Sequence, residues 1–265
     1  MFKKKLKRVQ HFVPRFILKK FLTSSEFKLF DKRYKKFLSK TPGGSMYKEY
    51  FYEHDDFNVN EVEDLISSRE NLYAPIIEKL ISREKLTLAE HKTLIEFRHI
   101  TYYRSNEFIG FHTYKKDRGE GSSHQRLDWL RINGIFSFKN HEKDIKKSQL
   151  KAIQNVINQQ DSAYQLSSFT PICFVAISND RKFAIGDNGS ISMGDEFDGM
   201  AVIVISPSHL LAFPKTRTAV ELMEKIGMTN QESKVVYLNI ENDLVALINE
   251  KIIDRAFEYY IDPNP

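Results

Sequence analysis

Residues 60–108 carry two consecutive apolar stripes with helical spacing, and they limit the possible folds more than any other feature. Asn60 is a candidate N-cap for the first stripe, which has three acidic residues in its first turn. The second stripe begins near Thr87, where Glu90 occupies the capping-box position. Another helical stretch follows near residue 142. The sequence therefore predicts a helical central part from about residue 60 to residue 160.

Short apolar and β-branched runs lie on both sides of this helical part. FKLFDKRYKKFL alternates like a strand, and TPGGS at 41–45 is the clearest turn signal, so we expect a hairpin there. The later runs PICFVAIS, KFAIGD and MAVIVISP predict a sheet, and helical spacing returns at about 241–260. The expected fold is α+β: the helical central part packs with a mostly antiparallel sheet formed by N-terminal and C-terminal strands. Residues 1–265 are predicted to form a single domain with a basic N-terminal arm (1–10).

Composition favours a folded protein outside the membrane. A chain of 265 residues with 41% hydrophobic content can bury a sizeable core. Its one cysteine, Cys173, excludes an intrachain disulfide or a Cys-based zinc site and suits the reducing cytoplasm. No apolar run approaches the roughly 18 residues of a spanning helix, and Lys19 and Lys20 interrupt the first apolar stretch too early for a signal peptide. We therefore expect a cytoplasmic protein.

The charge is distributed unevenly. Residues 1–40 hold eleven Lys and three Arg against Glu26 and Asp31, which gives +12, whereas the whole chain carries +5. A basic segment on a mildly acidic body is typical of a protein that meets a polyanion, and nucleic acid is the leading candidate. The candidate nucleic-acid-binding residues are Lys3, Lys4, Lys5, Lys7, Arg8, Arg15, Lys19 and Lys20. The alternatives are a solubilising tail, contact with the acidic body of the protein itself, or an anionic membrane surface that meets Phe2, Leu6, Val9 and Val13.

The segment QHFVPRF places His11 and Arg15 on either side of Pro14. Proline at this position predicts the start of a short helix that runs to about Leu22, and free N–H groups at a helix N-terminus attract anions. A histidine beside them could exchange protons near neutral pH. It could equally be a packing or capping residue.

Charged residues also interrupt the two central apolar stripes. Arg69 and Glu70 fall within the first stripe, while His91, Arg98 and Arg104 fall within or beside the second. A charged group on a core-facing seam must be paired or must lie beside a wet pocket. The sequence therefore predicts either a salt-bridge network between the two helices or a pocket for a phosphate or carboxylate.

The turn FAIGDNGS offers Asp187 either as an ordinary turn residue or as a carboxylate that acts as a base or binds a metal. Several signatures of other enzyme classes are missing. There is no HExxH, no Walker loop, no GxGxxG and no GxSxG, and the acidic residues near 195 do not match a calcium loop. These absences remove the usual indications of zinc proteases, P-loop NTPases, dinucleotide enzymes and serine hydrolases.

The opening QHFVPRFILKKF resembles the HxVPxxxLxxF motif of the bacterial and phage proteins grouped as domain of unknown function 4238. The segments LFDK, EVEDLISSRENLYAPIIEKL, EFRHITYYRS, FAIGDNGS and LINEKIIDRAFEYYI agree in order, so the resemblance spans nearly the whole chain. The family turn usually reads Asp-Asn-Pro, whereas this chain has Gly189. The resemblance implies no established activity, but its motifs select five polar residues: His11, Glu70, Arg104, Asp187 and Asn249.

If those five residues converge, they would form a cluster suited to phosphoryl or glycosyl chemistry. As a nuclease or phosphodiesterase, the protein would use His11 as general acid or base, and Arg104 with Arg15 to hold the phosphate. Glu70 or Asp187 would orient the histidine or bind a divalent ion such as Mg²⁺. The alternative is a non-catalytic nucleic-acid-binding or regulatory protein whose polar cluster is structural. An effector of phage defence or a toxin fits either class.

Overall fold

The computed structural model describes residues 5–105, 108, 142–158, 172–178, 180–193, 200–214, 221 and 234–264. Its elements confirm the α+β prediction. The helices are α1 (Arg15–Leu18), α2 (Glu61–Ile81), α3 (Leu88–Tyr103), α4 (Glu142–Ile157) and α5 (Asn242–Arg255), with 3-10 turns at Lys19–Phe21 and Pro42–Gly44. The strands are β1 (Val9–His11), β2 (Phe27–Asp31), β3 (Lys36–Lys40), β4 (Tyr47–Glu49), β5 (Ile172–Ser178), β6 (Ile185–Gly186), β7 (Ser190–Ser192), β8 (Ala201–Ser206), β9 (His209–Phe213), β10 (Lys234–Ile240) and β11 (Tyr259–Ile261).

The central helices form as predicted. The apolar stripe of α2 is buried, and α3 packs against both α2 and α4. Thr87 and Glu90 make the predicted capping box at the start of α3. Asn60 occupies the N-cap position of α2 with a left-handed backbone (φ 58°), but its side chain does not cap the helix. It binds the basic arm instead: its Oδ1 accepts the Lys7 N–H at 2.7 Å, and its Nδ2 donates to the Lys5 carbonyl at 2.9 Å.

The strands form two larger sheets and one short ladder. One sheet has the order β3-β2-β11-β6 and is antiparallel throughout, so an N-terminal hairpin pairs with a C-terminal strand, as predicted. The second has the order β10-β5-β9-β8-β7 and is antiparallel except for the parallel pair β10–β5. Strand β1 pairs antiparallel with β4. The single-domain assignment stays a prediction.

The predicted position of the N-terminal hairpin turn was wrong. Strands β2 and β3 are joined through residues 32–35, and TPGGS forms the second 3-10 turn, capped by Thr41. The carboxylate of Asp31 closes the true hairpin because it accepts the N–H groups of Arg33 at 2.9 Å and Tyr34 at 3.3 Å. Lys35 completes the turn with a positive φ of 49°.

Of the other boundary predictions, the start of the first helix is confirmed and the end of the last helix was wrong. Pro14 precedes a short helix as expected, although α1 itself covers four residues and continues as a 3-10 turn. The last helix was predicted to reach Tyr260, but α5 ends at Arg255 and Tyr259–Ile261 forms β11. Within the described ranges, no helix combines the length and apolar character needed to cross a membrane. The polar loop at 115–125 lies outside the described residues.

Candidate functional site

Three of the five selected polar residues come together where β1 meets α2 and α3. Arg104, at the C-cap of α3, is 2% exposed and donates in three directions. Its Nη1 donates to Glu70 Oε1 at 2.5 Å, its Nη2 to the His11 carbonyl at 2.5 Å, and its Nε to the Tyr52 hydroxyl at 2.9 Å. The Tyr52 hydroxyl donates to the same His11 carbonyl at 3.0 Å. The arginine therefore fixes the backbone that carries His11.

The imidazole of His11 is partly buried and uncharged at neutral pH. Burial is the main cause that lowers its pKa to about 4, and the nearby cations Arg15 and Arg104 lower it further. A hydrogen bond to the backbone at Gly43 acts in the opposite direction, because it favours the protonated ring. Among the described residues, the buried Nε2 has no hydrogen-bond partner. The Tyr47 ring lies 5.7 Å from the imidazole, centroid to centroid.

A further ionisable residue, Glu63, belongs to this site and was not predicted. It lies seven residues before Glu70, two turns away on the same side of α2. Its Oε1 accepts from Ser67 at 3.4 Å, and its buried Oε2 lacks a partner among the described residues. Burial raises the pKa of Glu63 to about 7, although Arg104 and Lys7 act to lower it. We call His11, Tyr52, Glu63, Glu70 and Arg104 the His11 cluster.

Asp187 is bonded to a different part of the chain. Its carboxylate is fully buried and accepts the N–H groups of Phe257 at 2.6 Å, Glu258 at 2.7 Å and Tyr259 at 3.1 Å. Burial raises the pKa of Asp187 to about 6, although these three donors act to lower it. The contacts explain why α5 ends early: the N–H groups that would continue the helix are held by Asp187.

Asn249 also bonds to the backbone. Its Oδ1 accepts the Ala184 N–H at 2.8 Å, and its Nδ2 donates to the Lys182 carbonyl at 2.8 Å. Asn188 adds a third bond between these segments, since its Nδ2 donates to the Arg255 carbonyl at 2.5 Å. The hydrogen bonds described for Asp187 and Asn249 thus tie α5 and β11 to the segment around β6, and none of them reaches the His11 cluster. The structure brings together His11, Glu70 and Arg104, and gives Asp187 and Asn249 structural contacts.

The salt-bridge network predicted between the two central helices is present. Arg69 donates from Nε and Nη2 to the two carboxylate oxygens of Glu96, each at 2.5 Å, and the Tyr73 hydroxyl donates to the same carboxylate at 2.5 Å. Glu96 is 1% exposed. Arg98 lies over the Phe213 ring at 5.6 Å. The alternative pocket for a phosphate or carboxylate stays a prediction.

Several cations of the basic segment pair with the acidic body. Lys7 lies 2.8 Å from Asp64, Arg8 lies 2.6 Å from Glu49, and Lys20 lies 2.5 Å from Glu78. The side chains of Lys5, Arg15 and Lys19 are exposed. Lys3, Lys4 and Phe2 lie outside the described residues. Contact with the protein's own acidic body, one of the alternatives for this segment, therefore accounts for three of its cations.

In the described part of the chain, no group of three or more His, Cys, Asp or Glu side chains is placed to hold a metal ion. A family model described as "Protein of unknown function (DUF4238)" matches residues 9–262. Neither the curated proteins nor the solved structures contain a significant match to the chain.

Proposed function

Because the chain belongs to the DUF4238 family, whose function is unknown, we propose a function from its own residues: it acts on nucleic acid in the cytoplasm, with His11 as the acid–base group of a phosphodiesterase. One observation carries the proposal. The Nε2 atom of His11 is buried without a hydrogen-bond partner among the described residues, and the cations Arg15 and Arg104 lie near the ring. An uncharged imidazole beside two cations suits proton transfer at a bound phosphate.

The two ring nitrogens have different roles in this mechanism. Nδ1 would carry the ring proton, and Nε2, which has no hydrogen-bond partner among the described residues, would carry the lone pair. This lone pair would take a proton from the attacking water or hydroxyl while the new P–O bond forms. The same proton would pass to the leaving oxygen as the old P–O bond breaks. A phosphate near Arg15 would also raise the pKa of His11 from about 4, because it offsets the cations that lower it.

Access to Nε2 requires a side chain to move, since the atom is screened from solvent. Arg15 is the neighbour best placed to do so, because it is exposed and lies beside Gly43. A phosphate that draws the Arg15 guanidinium toward itself would gain a cation and approach the ring in the same step. Arg104 would not move, since Glu70, Tyr52 and the His11 carbonyl hold it. In this mechanism Arg104 and Glu70 position His11, and Arg15 contacts the substrate.

A second candidate is a non-catalytic nucleic-acid-binding or regulatory protein. The contacts of Asp187 and Asn249 favour it, because both side chains bond to the backbone. In that case the exposed cations of the basic segment would supply the affinity, with little sequence preference. A role in phage defence or as a toxin suits either candidate.

The two candidates separate in a cleavage assay. Labelled RNA, single-stranded DNA and duplex DNA are incubated with the protein and with His11→Ala, each with Mg²⁺ or with EDTA. We expect the substitution to lower cleavage at least about 100-fold. It should leave folding intact, because Arg104 and Tyr52 contact the His11 carbonyl rather than the ring. His54→Ala is the matched control, since His54 lies near Asp56 and Phe57.

Unchanged cleavage by His11→Ala would remove this residue from the mechanism. Binding without cleavage, weakening steeply as salt is added, would support the non-catalytic candidate. The comparison of Mg²⁺ with EDTA tests whether a divalent ion takes part.

A further inference from the structure

The sheet β3-β2-β11-β6 presents a row of three aromatic side chains on one face. Phe37 of β3 lies directly opposite Phe30 of β2, and Phe30 lies directly opposite Tyr260 of β11. The ring centroids are 5.0 Å apart for Phe37 and Phe30, and 5.1 Å apart for Phe30 and Tyr260. Directly opposed residues in antiparallel strands point to the same face. The three rings therefore form a continuous aromatic row across three strands.

One face of the sheet is buried and the other, with the aromatic row, is partly open. Leu29, the neighbour of Phe30 on β2, is 1% exposed and points to the opposite face. At the β6 end the row is closed. Gly186 lies opposite Tyr260, and Ala256 at the end of α5 occupies the space where a side chain at Gly186 would lie. At the other end β3 is the edge strand, and Phe37 is 61% exposed. The row thus opens to solvent at the β3 edge.

The β2–β3 hairpin, which carries two rings of the row, is basic. Residues 27–40 contain six Lys or Arg and one acidic residue, Asp31, so the hairpin carries a net charge of +5. Asp31 is buried and paired with Arg33, which leaves its charge compensated inside the protein. Lys28 is exposed and shares the face of the row, since it lies two residues from Phe30 on β2. An apolar protein partner would gain nothing from this positive charge, whereas a polyanion with flat apolar groups would match both features.

We propose that the aromatic row binds the bases of single-stranded nucleic acid by stacking, while Lys28, on the same face of the sheet, contacts its phosphates. A base that is stacked inside a duplex cannot also stack on a protein ring, whereas the bases of a single strand can. The surface therefore selects single strands. Stacking on aromatic rings tolerates any base, so little sequence preference is expected. The inference rests on the proposed action on nucleic acid but makes no use of His11. The surface would hold the strand, and the His11 cluster would be a separate site.

Binding of oligonucleotides with and without bases tests the proposal. Fluorescence anisotropy is measured with a labelled 12-nucleotide thymidine strand, an abasic strand of equal length and a duplex, against the protein and its Phe37 variants. We expect Phe37→Ala to weaken binding of the thymidine strand by roughly five- to a hundredfold and to leave binding of the abasic strand unchanged. Phe37→Trp should keep the affinity, whereas Phe37→Leu should lose it as alanine does. Because Phe37 is exposed, none of these changes disturbs the core.

The control variant is Leu72→Ala on α2, which removes an apolar side chain that is 46% exposed outside the sheet. It should not change the affinity. The proposal that bases stack on the row would be refuted if Phe37→Ala bound the thymidine strand as the wild type does. It would also be refuted if Phe37→Leu kept full affinity, because that would indicate a general apolar contact. In either case the proposed action on nucleic acid would survive, because the wild type still binds. Failure of the wild type to bind any of the three ligands would overturn both the stacking proposal and the proposed action on nucleic acid.

Discussion

Substitution of Glu63 by glutamine should make the protein more stable at pH 8 and leave its stability unchanged below about pH 4.5. Burial raises the pKa of Glu63 from 4.5 to about 7. Between these values the folded state binds a proton that the unfolded state has lost, so stability falls as pH rises through this window. One pKa unit corresponds to about 1.4 kcal/mol, which gives a cost of up to about 3 kcal/mol above pH 7. Glutamine removes this cost because it carries no charge at any pH.

The measurement is the free energy of unfolding in urea at pH 4.5, 6 and 8 for the wild type and for Glu63→Gln. The difference between the two proteins isolates Glu63 from other titrating groups. Glu84→Gln is the matched control, since Glu84 is exposed near the end of α2 and should show no such trend. A variant less stable than the wild type at pH 8 would refute the argument, because it would mean that the ionised carboxylate is stabilised by Arg104 and Lys7.

Two further predictions concern the structural contacts. Asp187→Asn should lower the free energy of unfolding by about 2–4 kcal/mol, because backbone N–H groups at Glu258 and Tyr259 would face an amide NH₂ in place of a carboxylate oxygen. Thermal and urea denaturation measure this loss. A loss no larger than that of the exposed control Asp180→Asn would contradict the prediction. Glu96→Gln should cost about 2–3 kcal/mol, since it leaves Arg69 beside a neutral group. A urea midpoint equal to that of the wild type would show that this pair contributes nothing.

The helix starts were predictable because their signals are local. Thr87 and Glu90 satisfy each other's backbone and side-chain groups within four residues, so the sequence contains the whole capping box. The hairpin turn was not predictable in the same way. The Pro and Gly residues of TPGGS outweighed the weaker signal of Asp31, whose carboxylate holds the true turn. The end of α5 depends on Asp187, which lies seventy residues earlier in the chain than Phe257, whose N–H it accepts.

The candidate site shows the same limit. Family motifs select polar residues without distinguishing those that hold the backbone from those available for chemistry, so His11 and Asp187 are indistinguishable in the sequence. Glu63 was missed because an acidic residue in the first turn of a helix usually complements the helix dipole. Its position near Arg104 depends on how α2 packs against α3, which the sequence pattern does not specify.

The pairing of β2 with β11 has a consequence for biosynthesis. The hairpin of β2 and β3 is made early, but its partner β11 is not available until residue 261 has left the ribosome. During most of translation the β2 edge therefore exposes unpaired N–H and carbonyl groups next to exposed aromatic rings, a combination that invites aggregation. Completion of this sheet is a late and long-range event, so we expect chaperones to encounter the nascent chain at the hairpin.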